Sequence, residues 1–208
     1  ALLAAFDLRR PTRDIDLQAH DVANDAQTVL ALVRSVAALP GDDGLIFDST
    51  RASASIIRDD DEYAGVRVSL LAHLARVEIH LHIDVNVGDP IVPEPQLIDL
   101  PRVLGEPVVL RGYPIVMVHA EKIVTAVSRG TANTRWRDFG DVSSLAGRHD
   151  VAGADLDLAI SSVAAHRGVH LLPLGEVLDG FAALAQPRYA TWRRRHDRDD
   201  LPDAFQDL

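Results

Sequence analysis

The stretch Arg76-Val77-Glu78-Ile79-His80-Leu81-His82-Ile83-Asp84-Val85-Asn86-Val87 alternates strictly between apolar and polar residues. Alternation with a period of two is typical of a β-strand that has one buried and one accessible face. The turn residues Gly88-Asp89-Pro90 end this strand, and the apolar run from Gly65 to about Leu71 predicts a strand before it. We expect the two strands to pair as a hairpin or meander, with Asp84 on the polar face.

A pair of carboxylates occurs earlier in the chain, in the stretch Pro11-Thr12-Arg13-Asp14-Ile15-Asp16-Leu17. In an extended strand Asp14 and Asp16 project to one face, and the apolar residues that alternate with them are expected to enter a core. Adjacent carboxylates repel each other unless a cation lies between them. The spacing therefore predicts a divalent metal site, completed by Asp84 if its strand lies alongside, although Asp-x-Asp pairs also occur in solvated turns.

Lysine is almost absent from this chain. The sequence has 21 lysine and arginine residues together, and Lys122 is its single lysine. A compact ammonium acts as a point charge on phosphate, whereas guanidinium is a broad planar group, so a lone lysine indicates a phosphate-binding position. The alternative is a leftover lysine on a solvated helix face. The segment Ile115–Arg129, entered through Tyr113-Pro114, is the helix predicted to carry it.

Four motifs in this order resemble the AbiEii/AbiGii-type nucleotidyltransferase toxins, a family that includes the mycobacterial MenT toxins. The motifs are Thr12-Arg13-Asp14-Ile15-Asp16-Leu17, Ile83-Asp84-Val85 before Gly88-Asp89, Ala120-Glu121-Lys122, and Arg137-Asp138-Phe139-Gly140-Asp141-Val142. The resemblance implies an α/β (α+β) fold, in which a DNA polymerase β-like nucleotidyltransferase core with a mixed sheet precedes a helical C-terminal domain. We expect the core to span residues 1–107 and the mostly helical domain to span residues 108–208.

The same resemblance implies roles for single residues. The candidate catalytic residues are Asp14, Asp16, Asp84, Lys122 and Asp138. The first three are expected to bind Mg²⁺, and Arg13 and Lys122 are expected to bind the nucleotide. The family lysine before the last aspartate is Arg137 here, and the family tyrosine is Gly140. The glycine turn that cradles the triphosphate in the family is expected upstream of Ala1.

The implied function is that of a toxin that transfers nucleotides from an NTP to the 3′ acceptor end of tRNA and so blocks translation. Pyrimidine donors such as CTP, the tRNA acceptor stem and a cognate antitoxin protein are the expected partners. One alternative is a protein-directed nucleotidyltransferase or kinase that acts on a partner or on itself. A second is a non-catalytic binding module in which the carboxylates are vestigial.

A basic and aromatic segment near the end of the chain offers a tentative RNA contact. Its arginines are Arg193, Arg194 and Arg195, and they follow Tyr189 and Trp192 on a predicted helix. Packing inside the helical domain is the favoured role for the two aromatic residues, and the arginines suit RNA binding and simple solvation equally well.

Composition limits the remaining classes of protein. The formal net charge of −10 argues against a general nucleic-acid binder, because phosphate contacts need positive potential. The 208 residues include no cysteine, which excludes disulfides and cysteine metal sites. No stretch is long enough to span a membrane, so we expect a cytoplasmic protein without a membrane partner.

The remaining segments give a coarse secondary-structure prediction. Val22–Leu39 is predicted to be helical; Gly41–Glu62 is predicted to be irregular, with a short strand at most near Leu45–Phe47; and Pro90–Pro107 is predicted to be a loop. A short strand is possible at Val108–Leu110. Further helices are predicted at about Asp138–Leu145, Asp155–His166, Leu174–Ala185 and Arg188–Arg195.

Overall fold

A computed structural model of the protein describes residues 2–8, 14–41, 43–59, 63–88, 90–103 and 105–208. The described chain divides into two compact units. The first comprises the described residues between 14 and 88, and the second comprises Leu2–Leu8 together with the described residues between Pro90 and Leu208.

The described part of the first unit is a four-stranded sheet covered by one helix. Its elements are β1 (Asp14–Ala19), α1 (Ala26–Ala37), β2 (Leu45–Asp59), β3 (Tyr63–Leu74) and β4 (Val77–Val87). The strand order is β1-β4-β3-β2, and β1 pairs with β4 in parallel while the other pairs are antiparallel. The sheet is therefore mixed, as predicted, and the predicted pairing of β3 with β4 is confirmed.

Helix α1 packs its apolar stripe against the sheet. Asp25 caps its N-terminus, because the Asp25 side chain accepts hydrogen bonds from the N–H groups of Gln27 and Thr28, at 3.0 and 2.9 Å. Val29 and Val33 lie one turn apart on the buried face of α1, in a core that β2, β3 and β4 complete. The prediction of a helix in this region is confirmed, with shorter bounds.

The apolar residues of the Asp-x-Asp stretch do not enter this core, and that prediction was wrong. Ile15 is 40% exposed and Leu17 is 48% exposed. Both lie on β1 at the edge of the sheet, whereas α1 packs on β2 and β3. Their face of the sheet is the correct one, since Ile15 pairs with Ile83 and Leu17 pairs with Val85.

The second unit consists of helices and one β-hairpin among its described residues. Its strands are β5 (Gln96–Leu100) and β6 (Val108–Gly112), and its α-helices are α2 (Ile115–Arg129), α3 (Trp136–Ala146), α4 (Gly153–His166), α5 (Leu174–Val177) and α6 (Phe181–Arg195). Short 3-10 helices cover Leu2–Phe6, Gly130–Ala132 and Phe205–Asp207. Helix α2 has the predicted bounds, and the helical C-terminal part is confirmed.

Three secondary-structure predictions were wrong for identifiable reasons. The segment predicted to be irregular contains β2, whose pairing with β3 shifts register between Asp48 and Ser53 and so breaks the alternation. The segment predicted to be a loop contains β5, a short strand that pairs only with β6 among the described strands. The predicted helix Leu174–Ala185 is divided at Gly180, which has a left-handed φ of 68°.

Helix α6 continues through Pro187, although a break was predicted there. Phe181, Ala185 and Tyr189 are spaced four residues apart and are all buried in one core. A continuous helix places these three side chains on one face, and their burial outweighs the hydrogen bond that proline cannot donate.

The compact units meet in sequence at residues 88–90, whereas the predicted domain boundary lies between residues 107 and 108. The β5–β6 hairpin explains the difference, because β5 contacts the Leu2–Phe6 helix of the second unit and is not part of the four-stranded sheet. In the part of the chain that the structure describes, no helix is both long and apolar enough to cross a membrane.

Candidate active site

Strand pairing in the first unit places the three candidate aspartates on one face of the sheet. Asp14 pairs with His82, and Asp16 pairs directly with Asp84 on the neighbouring strand. Residues paired across two strands share a face, as do residues two apart along a strand. Asp16 and Asp84 are therefore direct neighbours, and Asp14 lies on the same face in the adjacent row.

Arg67 extends this row on the third strand. It pairs in register with Asp84, and its guanidinium donates two hydrogen bonds to the two Asp84 carboxylate oxygens, at 2.7 Å from Nε and 2.6 Å from Nη2. The Asp84 side chain is only 14% exposed, whereas that of Arg67 is 40% exposed. This bidentate geometry is the strong form of an arginine–carboxylate pair.

Arg67 lies close enough to all three aspartates to respond to their charges. The hydrogen bonds that Arg67 donates to Asp84 raise the pKa of Arg67 above its ordinary value against the effect of burial, and the charges of Asp14 and Asp16 act in the same direction. One guanidinium therefore lies near three carboxyl groups on neighbouring positions of the sheet. We call these four residues (Asp14, Asp16, Arg67 and Asp84) the carboxylate cluster.

The donor chemistry of the carboxylate cluster fits a hard divalent cation. Carboxylate oxygens are the ligands that Mg²⁺ prefers, and the cluster supplies three carboxylates on neighbouring positions. Within the described residues, no three His, Cys, Asp or Glu side chains converge closely enough to hold a metal ion as they stand. Because both Asp84 oxygens accept from Arg67, a metal role for Asp84 requires Arg67 to share or release this carboxylate.

The second unit holds a different cluster around the single lysine. Lys122 on α2 donates to Asp138 Oδ1 at 2.5 Å and to Asp141 Oδ2 at 3.0 Å, both on α3. Arg135 donates from Nε to the other Asp138 oxygen at 2.6 Å. We call these four residues the lysine cluster. Its two aspartates lie three residues apart, which places them on one face of α3.

The lysine cluster is more deeply buried than the carboxylate cluster. The Asp141 side chain is fully buried, and those of Lys122 and Asp138 are 15% and 13% exposed. Burial alone raises the pKa of Asp138, but the charges and hydrogen bonds of Lys122 and Arg135 outweigh it, so this pKa lies below its ordinary value. Two cations here face two carboxylates, and the charge of Asp141 also acts on Arg198.

Sequence reasoning missed two of these residues. Asp141 stands within the last motif, and its spacing of three from Asp138 on a predicted helix was an available signal. Arg67 carried no such signal, because its place beside Asp84 depends on the register of two strands. A one-residue slip of that register would place Arg67 on the opposite face of the sheet.

The remaining candidate residues are the predicted nucleotide-binding arginine and the three arginines of the predicted RNA contact. Arg13 lies outside the described residues. Arg193 is 14% exposed and donates to the backbone oxygen of Leu201 at 2.9 Å, while its Nη1 lies 2.9 Å from an Asp203 oxygen. Arg194 and Arg195 are exposed. Arg193 thus joins the end of α6 to the chain that follows, and RNA binding by the three arginines stays a prediction.

The two aromatic residues beside these arginines contribute to the core of the second unit, as favoured. Tyr189 is fully buried, and its hydroxyl donates to the backbone oxygen of Pro202 at 2.7 Å. Trp192 packs against the same core. The face of α6 that they occupy is therefore a packing surface.

Comparison with known proteins identifies the family. The family model for the nucleotidyl transferase AbiEii toxin, of Type IV toxin–antitoxin systems, matches residues 1–208. The chain belongs to this family of nucleotidyltransferase toxins, and the predicted family and nucleotidyltransferase-type α+β fold are confirmed.

Two solved structures are similar at low identity. JHP933 from Helicobacter pylori is 19% identical, with a TM-score of 0.42, over 95% of this chain and 84% of that chain. A second H. pylori protein, described as a nucleotidyltransferase, is 15% identical, with a TM-score of 0.34, over 93% of this chain and 85% of that chain. Comparison with curated proteins gives no match. Family membership implies an NTP substrate and an antitoxin partner.

Proposed function

We propose that this protein transfers a nucleotide from an NTP to the 3′ acceptor end of tRNA in a magnesium-dependent reaction. The observation that supports the proposal most is the register of β1 with β4, which makes Asp16 and Asp84 direct neighbours beside Asp14. Carboxylates on neighbouring positions of one sheet face repel one another, and a divalent cation between them relieves this repulsion. The nucleotidyltransferase family of the chain makes metal-bound NTP the matching ligand.

The carboxylate cluster has the role of binding metal and orienting the acceptor hydroxyl. A bound divalent metal would supply the positive charge that phosphoryl-type transfer requires. Asp14 and Asp16 are the residues proposed to hold it. Asp84 is proposed to complete the metal site or to accept the proton of the attacking 3′-hydroxyl. Arg67 fixes the orientation of the Asp84 carboxylate through its two hydrogen bonds.

Lys122 is proposed to stabilise charge on the phosphates. Its ammonium has three N–H donors, of which Asp138 and Asp141 accept two, so the third remains for a ligand. Asp138 and Asp141 position Lys122 because they fix its side chain from α3. Electrostatic stabilisation by such a fixed charge is the main contribution of protein groups to phosphoryl-type transfer. Arg13 is proposed to assist at the nucleotide.

The finer features of the proposal come from the family resemblance. A pyrimidine donor such as CTP, the tRNA acceptor stem, and blocked translation in the cytoplasm are the expected features. The cognate antitoxin would prevent this modification in the cell. Arg194 and Arg195, which are exposed, are the arginines best suited to contact RNA.

A transfer assay tests the proposal. The purified chain is incubated with Mg²⁺, total tRNA and each of the four radiolabelled NTPs, and RNA is separated from protein. A parallel sample contains tRNA oxidised with periodate, which destroys the 3′-terminal diol. We expect label in intact tRNA and none in oxidised tRNA. Label in protein would instead favour a protein-directed transferase, and no label anywhere would favour a binding module.

A further inference from the structure

A pocket opens beside the lysine cluster, wholly within the second unit. Its volume is about 290 Å³, close to the lower end of the range for small-molecule sites. Helices α2, α3, α5 and α6 and the Phe205–Asp207 3-10 helix line it. Lys122 and Asp138 stand at its polar side. The proposed phosphate-binding lysine therefore stands at the edge of a half-open pocket.

Three phenylalanines form the apolar wall of this pocket. Phe139, Phe181 and Phe205 contact one another, with ring centroids 5.2 to 5.9 Å apart. Phe181 and Phe205 are 2% and 7% exposed, so packing fixes their rings. Aromatic rings held in fixed positions can stack on a flat ligand ring or contact its edge. Nucleobases are flat rings of this kind, and every base can stack in this way.

Polar groups at the same pocket can pair with such a ring. Asn133 is 3% exposed, and its Oδ1 accepts a hydrogen bond from the Arg135 N–H at 2.8 Å. Its amide NH₂ group is a hydrogen-bond donor, and Asn133 lines the pocket. Lys122 lines the same pocket and is a cationic donor. A nucleobase offers carbonyl oxygens and ring nitrogens that can accept hydrogen bonds from such groups, whereas a purely apolar ligand offers none.

We infer that this pocket binds the nucleobase of the NTP, which rests on the proposed function. The base lies against Phe139, Phe181 and Phe205, and a base carbonyl or ring nitrogen accepts a hydrogen bond from Asn133. The phosphates leave the pocket on the side of Lys122. The second unit thus recognises the donor nucleotide through its base as well as its charge.

A matched pair of variants tests this assignment. Ala182 lines the pocket, whereas Ala183, the next residue on α6, is exposed. Ala182→Leu places three added carbons in the pocket, and Ala183→Leu places the same atoms in solvent. Binding of each NTP and of inorganic triphosphate, which has no base, is measured with Mg²⁺ by calorimetry on the full chain. Circular dichroism and thermal melting verify the fold of each variant.

We expect Ala182→Leu to weaken binding of the best NTP by about tenfold or more and to leave triphosphate binding unchanged. Ala183→Leu should change neither. Equal NTP affinity in the two folded variants, or an equal loss for NTP and triphosphate, would overturn the base assignment.

A second measurement needs no variant. In saturation-transfer NMR of the wild-type chain with NTP, the base protons should receive more saturation than the ribose protons. Stronger saturation of ribose would overturn the assignment even if Ala182→Leu failed to fold. The transfer assay is read separately, so loss of the proposed function and loss of the base pocket give different results. NTP binding tests the pocket whether or not tRNA is labelled.

Discussion

Both units of this protein place a cation between carboxylates, but the two clusters differ in balance and burial. In the carboxylate cluster one arginine, 40% exposed, faces three aspartates on an open sheet face. In the lysine cluster Lys122 and Arg135 face two aspartates, one of them fully buried. Neighbouring carboxylates at a partly exposed place can share a divalent cation, whereas a lysine held between two carboxylates at a buried place is fixed in orientation. The difference supports the proposed roles, which are metal binding for the first cluster and fixation of the lysine for the second.

The largest expected effect is on catalysis, from a change in the carboxylate cluster. Asp16→Asn removes one charge and one proposed metal ligand without changing the size of the side chain. We expect transfer to tRNA to fall by about a thousandfold or more, because metal binding and charge stabilisation are lost together. Initial rates of transfer to tRNA with the best NTP measure this loss.

A control for this change lies in the same unit. Asp21 is exposed and has a φ of 57°, a conformation that asparagine also tolerates. Asp21→Asn should keep the wild-type rate. If both variants are equally active, the carboxylate cluster is not the catalytic centre.

The second largest effect is expected on stability, when the buried aspartate of the lysine cluster is replaced. Asp141→Asn leaves Lys122 with one carboxylate fewer in a fully buried place. We expect the free energy of unfolding to fall by about 2–3 kcal/mol, as for other broken buried pairs. Urea denaturation followed by tryptophan fluorescence suits this test, since Trp136 and Trp192 both pack in the core of the second unit. An unchanged midpoint would show that Asp141 does not hold Lys122.

A smaller loss of stability is expected when the arginine of the carboxylate cluster is replaced. Arg67→Gln removes both hydrogen bonds to Asp84, but at a partly exposed site, so we expect a loss of about 1–2 kcal/mol. Mg²⁺ should raise the melting temperature of this variant more than that of the wild type, because the carboxylates then lack the arginine charge. Arg76→Gln, at the exposed turn after β3, removes the same charge as a control. An equal response to Mg²⁺ in both variants would contradict surplus negative charge at the cluster.

The smallest effect concerns pH and His119, which precedes Lys122 by one turn of α2. Burial lowers the pKa of His119 below its ordinary 6.5, and the charges of His149 and Lys122 add to this. The unfolded chain therefore binds the proton more readily, so this contribution to stability is complete above pH 6.5 and is lost as pH falls below it. His119→Leu should lose less stability than wild type between pH 7 and pH 5. Parallel curves for the two proteins would show that folding does not lower the pKa of His119.

The sequence predicted features that depend on local periodicity and spacing. The alternation along β4 and the helical pattern of α2 are each visible within a single segment of the sequence. Strand β2 lacks such a signal, because the Asp48 side chain accepts hydrogen bonds from the N–H groups of Thr50 and Arg51, a local turn within the strand. The bulge at this place hides the alternation.

The candidate site also has a part that the sequence predicted and a part that it did not. The spacing of Asp14 and Asp16 predicted a shared face, and Asp84 lies on that face, paired with Asp16, as expected. The pairing of Arg67 with Asp84 and the packing of Asp141 against Lys122 depend on contacts between separate elements. No local pattern contains such contacts, because strand register and helix packing are set by the whole unit.

A measurement of metal binding tests the central claim most directly, because we expect variants of the two clusters to differ in metal affinity. Mn²⁺ replaces Mg²⁺ as a spectroscopic probe, and electron paramagnetic resonance measures its binding to wild type, Asp16→Asn and Lys122→Arg. We predict that wild type and Lys122→Arg bind Mn²⁺ with similar affinity, while Asp16→Asn binds it at least about tenfold more weakly. Full binding by folded Asp16→Asn, with binding lost in folded Lys122→Arg, would contradict the assignment of metal to the carboxylate cluster.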